Sequence, residues 1–393
     1  MKVRSILAVA AAFAVALLPT AASASSGWQI TSTPPNPHGT QQGADSGLTS
    51  VSCISASNCT AVGDAAPASS NTAHGGGGPD YTLAEHWNGT AWKIQATPTP
   101  SDAQAGGPRL LQSVKWVSSS FCMAVGSYFT STFTKEAMFA ERWNGTTWNI
   151  LPISSPASGN LDAVACTTAT NCIAVGNAYN SGSGAPLAEH WNGIGWAPMS
   201  VPTPVGAESP ELTGVSCTAV SACTAVGEYT VGSYPNGPYD EGLAERWNGK
   251  TWAIQTFAVP ANTQINIYSV KCISATACTA VGSQHDASFS SLLTLAEHWN
   301  GSSWQIQATP ASSPSELYAV SCTALNACTA IGSGPMAENW NGTSWQIQSM
   351  PGAGSQLPSV SCTSATACIA VGTDITSDID GVRTNVTLAE RRT

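Results

Sequence analysis

The sequence predicts an all-β fold: a seven-bladed β-propeller of four-stranded antiparallel blades, closed by the N-terminal strand in the last blade. Three observations predict it. One unit recurs at steps of about fifty residues, starting at Leu48, Leu111, Leu161, Leu212, Ile267, Leu317 and Leu357. Each unit holds short apolar runs separated by turn residues. The unit at Leu357 ends at Leu388-Ala389-Glu390 without a fourth run, while Trp28-Gln29-Ile30 near the start is a fourth run without a blade. A ring sealed by strands from both ends of the chain removes exposed sheet edges and ties down both termini.

The four runs follow in order from the axis outward. The first is L-x-x-V-x-C, as in Leu48 to Cys53. Its two apolar positions are three apart and fall on opposite faces, which implies burial on both sides. The second is C-x-A-V-G, as in Cys59 to Gly63, where Ala61 and Gly63 are small enough for a neighbouring sheet to come close. The third is L-A-E-x-W, as in Leu83 to Trp87, and the fourth is W-x-I-Q, as in Trp92 to Gln95. Between the last two lies Asn-Gly at Asn88, Asn144, Asn192, Asn248, Asn300 and Asn341, a pair that tolerates positive φ and favours a tight hairpin.

Twelve of the 13 cysteines form C-x5-C pairs: Cys53 with Cys59, Cys166 with Cys172, Cys217 with Cys223, Cys272 with Cys278, Cys322 with Cys328, and Cys362 with Cys368. A spacing repeated inside a repeat predicts disulfides within each blade, and no His accompanies the pairs to suggest zinc. Cys122 stands alone because Trp116 occupies its partner's place. Met1 to Ala24 has the three parts of a secretory signal: Lys2 and Arg4, an apolar run from Ile6 to Leu18, and Ala22-Ser23-Ala24 at the cut. The expected domains are therefore the signal at 1–24 and one propeller at 25–393, exported and extracellular, with no membrane span left after cleavage.

The formal charge is −10, and only 9% of residues are charged. Such a chain lacks the basic footprint that nucleic-acid binding requires. Gly, Ser and Thr abound, yet 14 Trp and 42% hydrophobic residues imply a packed core rather than disorder.

The segment LAEHWNGTAWKIQATPTP resembles the aromatic, turn, Trp and terminal Pro signature of a kelch or galactose-oxidase blade, with Ala61-Val62-Gly63 where kelch units carry a double glycine. The tandem C-x5-C and W-N-G-x-x-W pattern is similar to that of uncharacterised secreted bacterial repeat proteins. These resemblances imply a fold and no particular reaction.

The residues that could carry chemistry also have structural roles open to them. Glu85, Glu141, Glu189, Glu245, Glu297, Glu338 and Glu390 share one position and are followed by His86, Arg142, His190, Arg246, His298, Asn339 and Arg391. Adjacent strand residues face opposite sides, so the carboxylate of one blade is expected to meet the His or Arg of the next in a structural polar ladder. The paired tryptophans of W-N-G-x-x-W are expected to staple hairpins. Asp374, Asp378 and Asp380 form a weak calcium candidate that lacks a distal acidic ligand. No cofactor motif and no catalytic triad is indicated.

Variation points to one face. The second-to-third loop ranges from Ser333–Pro335 to Asp64–Thr82, and in a propeller it shares a side with the blade-to-blade connections. Tyr128, Phe129, Tyr179, Tyr229, Tyr234 and Tyr239 fall there and are the candidate ligand-face aromatics. The sequence thus points to a monomeric secreted binding scaffold for an extracellular glycan or protein. A glycan-active hydrolase or lyase and a cell-envelope structural protein are the alternatives.

Overall fold

The computed structural model describes residues 27–393 apart from the segments 40–43, 69–80, 105–106, 132–134, 154–157, 181–182, 233–238, 259–262, 286–290, 311–315, 335, 353–355 and 378–382. The signal expected at 1–24 lies outside them; so do Tyr234, Asp378 and Asp380.

Seven four-stranded antiparallel sheets make up the molecule. In blade 1 the strands are Ser46–Ser55, Asn58–Ala65, Tyr81–Trp87 and Trp92–Gln95, in that spatial order. The inner strands of blades 2 to 7 are Arg109–Ser118, Ser158–Thr168, Glu208–Ala219, Ile265–Ser274, Leu317–Ala324 and Gln356–Cys362. Each inner strand touches that of the next blade, and blade 7 touches blade 1, so the ring is closed. Its seal is the strand Gln29–Thr31, which pairs with Arg383–Arg392 in the register Gln29 to Arg391 and Ile30 to Glu390. Trp28 lies beneath it, 6% exposed, against Met350 and Leu388.

The core is divided into seven apolar clusters, each lying across one blade-to-blade interface. Blade 1 shows why. Leu48, Ala61, Leu83 and Trp87 face Ile369 and Val371 of blade 7, whereas Val62 and Ala84 face Leu111 and Phe139 of blade 2. Alternation along the inner three strands therefore feeds both neighbours, while the outermost strands keep exposed positions such as Ile306, 48% exposed.

The hairpins behave as their residues require. In the Asn-Gly turns the six glycines have φ between +94° and +103°, and the Asn88 carboxamide oxygen accepts the amides of Thr90 and Ala91 at 3.0 Å. The tryptophans flanking each turn pair at 5.6 to 5.8 Å between ring centroids. All six C-x5-C pairs form disulfides. Each joins residues directly opposite in the ladder between first and second strands, as Cys53 is to Cys59. In blade 2 the buried Trp116 faces the buried free thiol of Cys122 at that place.

The glycine of C-x-A-V-G serves its own blade, not a neighbouring sheet. The inner strand bulges after its first Leu, with register shifts at Leu48/Ser50 and at the matching place in the other blades. The bulge drives the backbone oxygen before that Leu onto the glycine, so a Cβ on Gly126 would lie 1.9 Å from the Leu110 oxygen. No side chain fits there.

Candidate functional site: the polar mouth of the channel

The inner strands surround an axial channel, and its two ends differ. At the disulfide end the positions repeat closely. At the other end, which carries the second-to-third loops and the blade connections, the bulge re-aims residues that differ from blade to blade. The residue before the first Leu and the residue after the glycine lie side by side there: Asn160 opposite Asn177, Glu211 opposite Glu228, Asn266 opposite Ser283. The bulged residues themselves are Thr49, Asp162, Thr213, Tyr268 and Tyr318 in blades 1, 3, 4, 5 and 6. In blades 1 and 4 the bulge is structural, since Thr49 and Thr213 donate to Leu111 and Ile267 carbonyls of the next blade at 2.5 and 2.7 Å. In blades 3, 5 and 6 it presents Asp162, Tyr268 and Tyr318 instead.

Hydrogen bonds knit these residues across blade boundaries. The Asn177 carboxamide donates to Glu211 Oε2 at 3.2 Å, and Asn266 donates to Glu228 Oε2 at 2.6 Å. Tyr268 and Tyr318 donate to the two oxygens of Glu316 at 2.8 and 2.9 Å, their rings 5.8 Å apart. Asn160 donates to Asp162 Oδ1 at 2.7 Å. At this mouth Asn177 Oδ1 is buried without a hydrogen-bond partner among the described residues, on a side chain only 7% exposed.

The carboxylates are hard to ionise together. Burial, then the charge of Glu211, pushes Asp162 up to about 7. Burial also pushes Glu228 up to about 7, with the Asn266 hydrogen bond opposing and the charges of Glu211, Asp240 and Glu316 adding. Glu211 is raised for the same first reason. A group titrating near neutrality can hold or release a proton there, and a cation or a hydroxyl-rich ligand would find acceptors and aromatic rings together.

Of the aromatics picked out by sequence, Tyr128 is 8% exposed and packs edge-on to Phe139 at 5.5 Å, with its hydroxyl on Asp102. It borders an outer cleft with Asp102, Lys135 and Pro152 rather than the channel mouth. Phe129 ends the same strand. Tyr179, Tyr229 and Tyr239 are in ladders rather than loops, opposite Gly184, Glu241 and Val231, because second and third strands run on past the glycine. Tyr229 donates to Glu241 at 2.6 Å, and Tyr179 is 46% exposed beside Asn160. Tyr268, Tyr318, Asp162, Glu211, Glu228 and Glu316 carry no motif. The signal that finds them is the most variable positions flanking the repeat's most constant Leu and Gly.

The seven repeat glutamates are at most 1% exposed and sit between blades. The ladder differs from the one anticipated. Each glutamate lies on the side facing the preceding blade, but in two blades the arginine of that blade goes two residues further, to the tryptophan, while His86 meets Trp116 and His190 bonds Asn171 of its own blade. Arg391 lies over Trp87 at 5.6 Å and Arg246 over Trp299 at 4.9 Å. An aromatic face takes a half-buried guanidinium with less desolvation than a carboxylate would demand. The carboxylates turn instead to the preceding blade's linker: Glu390 accepts the Gly352 amide at 2.9 Å and Glu297 the Ala258 amide at 2.8 Å. Among the described residues both oxygens of Glu141 and Glu245 are without a hydrogen-bond partner. Asp374 is in the strand Cys368–Ser377, opposite Val386. Among the described residues no cluster of His, Cys, Asp and Glu could hold a metal, and no helix is long and apolar enough to cross a membrane.

This architecture defines the chain as a seven-bladed β-propeller. No protein-family model matches it, and no curated protein matches its sequence. Solved structures do resemble it. YCF48 bound to D1 peptide aligns with a TM-score of 0.55 at 10% identity, over 93% of this chain and 96% of that one. The WD40 propeller domain of Doa1 aligns at 0.53 and 13% identity, over 93% and 96%. A polysaccharide lyase, a PL25 ulvan lyase bound to a sugar, aligns at 0.51 and 10% identity, over 88% and 96%. At such identities the likeness shows the fold alone.

Proposed function

We propose that this protein is an exported binding scaffold that holds an extracellular glycan or protein at the loop-side mouth of its channel. One observation carries the reading: a fold that is symmetric wherever packing demands it breaks that symmetry at this mouth, with Asp162, Glu211, Glu228, Glu316, Tyr268 and Tyr318 together. Six disulfides suit an oxidising compartment, and the signal-like N-terminus supports export. The blade signature supports a kelch-type classification. A glycan array and a panel of secreted peptides test it. A ligand is expected whose binding falls at least tenfold in Glu211→Gln/Glu228→Gln with the fold intact; binding indifferent to both substitutions overturns the assignment.

The second reading, a glycan-active hydrolase or lyase, is favoured by burial pushing Glu228, near Tyr268, and Asp162, near Glu211, up to about 7. Turnover of a polysaccharide abolished by Asp162→Asn would replace the first reading with this one. An envelope structural role leaves every mouth substitution without effect on any ligand.

A further inference from the structure

The other end of the channel carries opposite charge. An inner strand has no further strand on its axial side, so its inward amides need acceptors from elsewhere. Four blades supply them with a serine before the first cysteine. Ser52 Oγ accepts the Trp116 amide of the next blade at 3.0 Å, Ser216 that of Cys272 at 2.9 Å, Ser321 that of Cys362 at 2.9 Å and Ser361 that of Cys53 at 3.0 Å. Blades 2 and 5 have lysine at this position, Lys115 and Lys271. Lysine has three donors and no acceptor. It takes the hydroxyl away from the following amides, those of Cys166 and Cys322, and adds a cation.

Blades 2 and 5 are three apart in a ring of seven, nearly opposite across the axis. The nearby charge of Lys115 lowers Lys271 further after burial, as expected of two ammoniums reaching toward one axial lumen. Burial lowers both ammoniums, Lys271 to about 8; the charge of Lys115 adds at Lys271, and the Cys122 thiol acts on Lys115. No carboxylate is among these groups. Two like charges sit at the same position of nearly opposite blades, where the following amides have no serine hydroxyl to meet them.

We propose that the channel holds a small inorganic oxyanion of the sulfate or phosphate class between Lys115 and Lys271, at the disulfide end. A doubly charged oxyanion neutralises both ammoniums and offers acceptors to their donors. This site is separate from the loop-side mouth and stands whether or not a ligand is found there.

Calorimetric titration of the whole exported chain with sodium sulfate, at low ionic strength and pH 6.5, tests the proposal. One site per chain is expected, weakened at least tenfold by Lys115→Gln or by Lys271→Gln and lost in the double variant. Glu228→Gln, at the far mouth, retains it. Thermal melting guards against misfolding: in sulfate-free buffer the double variant, relieved of two facing cations, melts above the wild type and no longer gains from sulfate. No sulfate binding by the wild type, or equal binding by the double variant, overturns the site.

Discussion

A carboxyl group enclosed between two sheets is a poor anion, and this protein encloses one at the same place in every blade. Burial pushes Glu85 and Glu245 up to about 8 and Glu189, Glu338 and Glu390 up to about 7. The sign follows from proton counting. Between the ordinary carboxylate range near 4.5 and these raised values the folded chain binds more protons than the unfolded one, so their stabilisation is complete below about 4.5 and lost as pH rises to 7–8. The melting temperature should therefore fall as pH is raised from 5 to 8, as measured by circular dichroism. Glu245→Gln, which keeps the shape and removes the charge, should raise the melting temperature at pH 8 and flatten the profile. Glycine sets a second limit at this scale. Gly126→Ala places a Cβ against the Leu110 carbonyl, backbone that cannot yield, and should cost about 3 kcal/mol or more in urea unfolding. The glycine was legible in the repeat, but its partner was not, because a one-residue bulge is invisible in a spacing pattern.

At the level of single elements, the strand Gln29–Thr31 and the disulfide hairpins bear different loads. The N-terminal strand pairs with the last blade and seats Trp28 in the interface of blades 6 and 7. Trp28→Ala should remove about 3–5 kcal/mol, as truncation of a buried aromatic does, and should expose both chain ends to proteolysis. A disulfide closes only a short loop that the ladder already holds. Replacing Cys322 and Cys328 by Ala should cost about 2 kcal/mol, a smaller fall in melting temperature than Trp28→Ala produces. The closing strand and the six pairings were readable because both rest on spacing along the chain. The polar ladder was readable only in part. Alternation put Glu and its basic neighbour on opposite sides correctly, but which residue of the next blade each would meet depends on how two sheets slide against each other.

The whole molecule is a ring whose channel is acidic and aromatic at the loop end and basic at the disulfide end. Charge of opposite sign at two ends of one lumen can select ligands by orientation as well as by affinity. Binding at the acidic mouth should weaken as salt rises if the ligand is cationic, and Glu211→Gln/Glu228→Gln should reduce that salt dependence, read by titration at 50 and 300 mM NaCl.

The amino-acid sequence alone determined the blade unit, the number of blades, the closure and the cysteine pairing, since each depends on residues close in the chain or on a repeated interval. Only the tertiary structure decided the functional geometry. Asp162, Glu211, Glu228, Tyr268 and Glu316 come from four different blades, and Lys115 and Lys271 from two nearly opposite ones. Nothing along the chain relates residues at the variable positions of a repeat until the ring closes and brings them to a common axis.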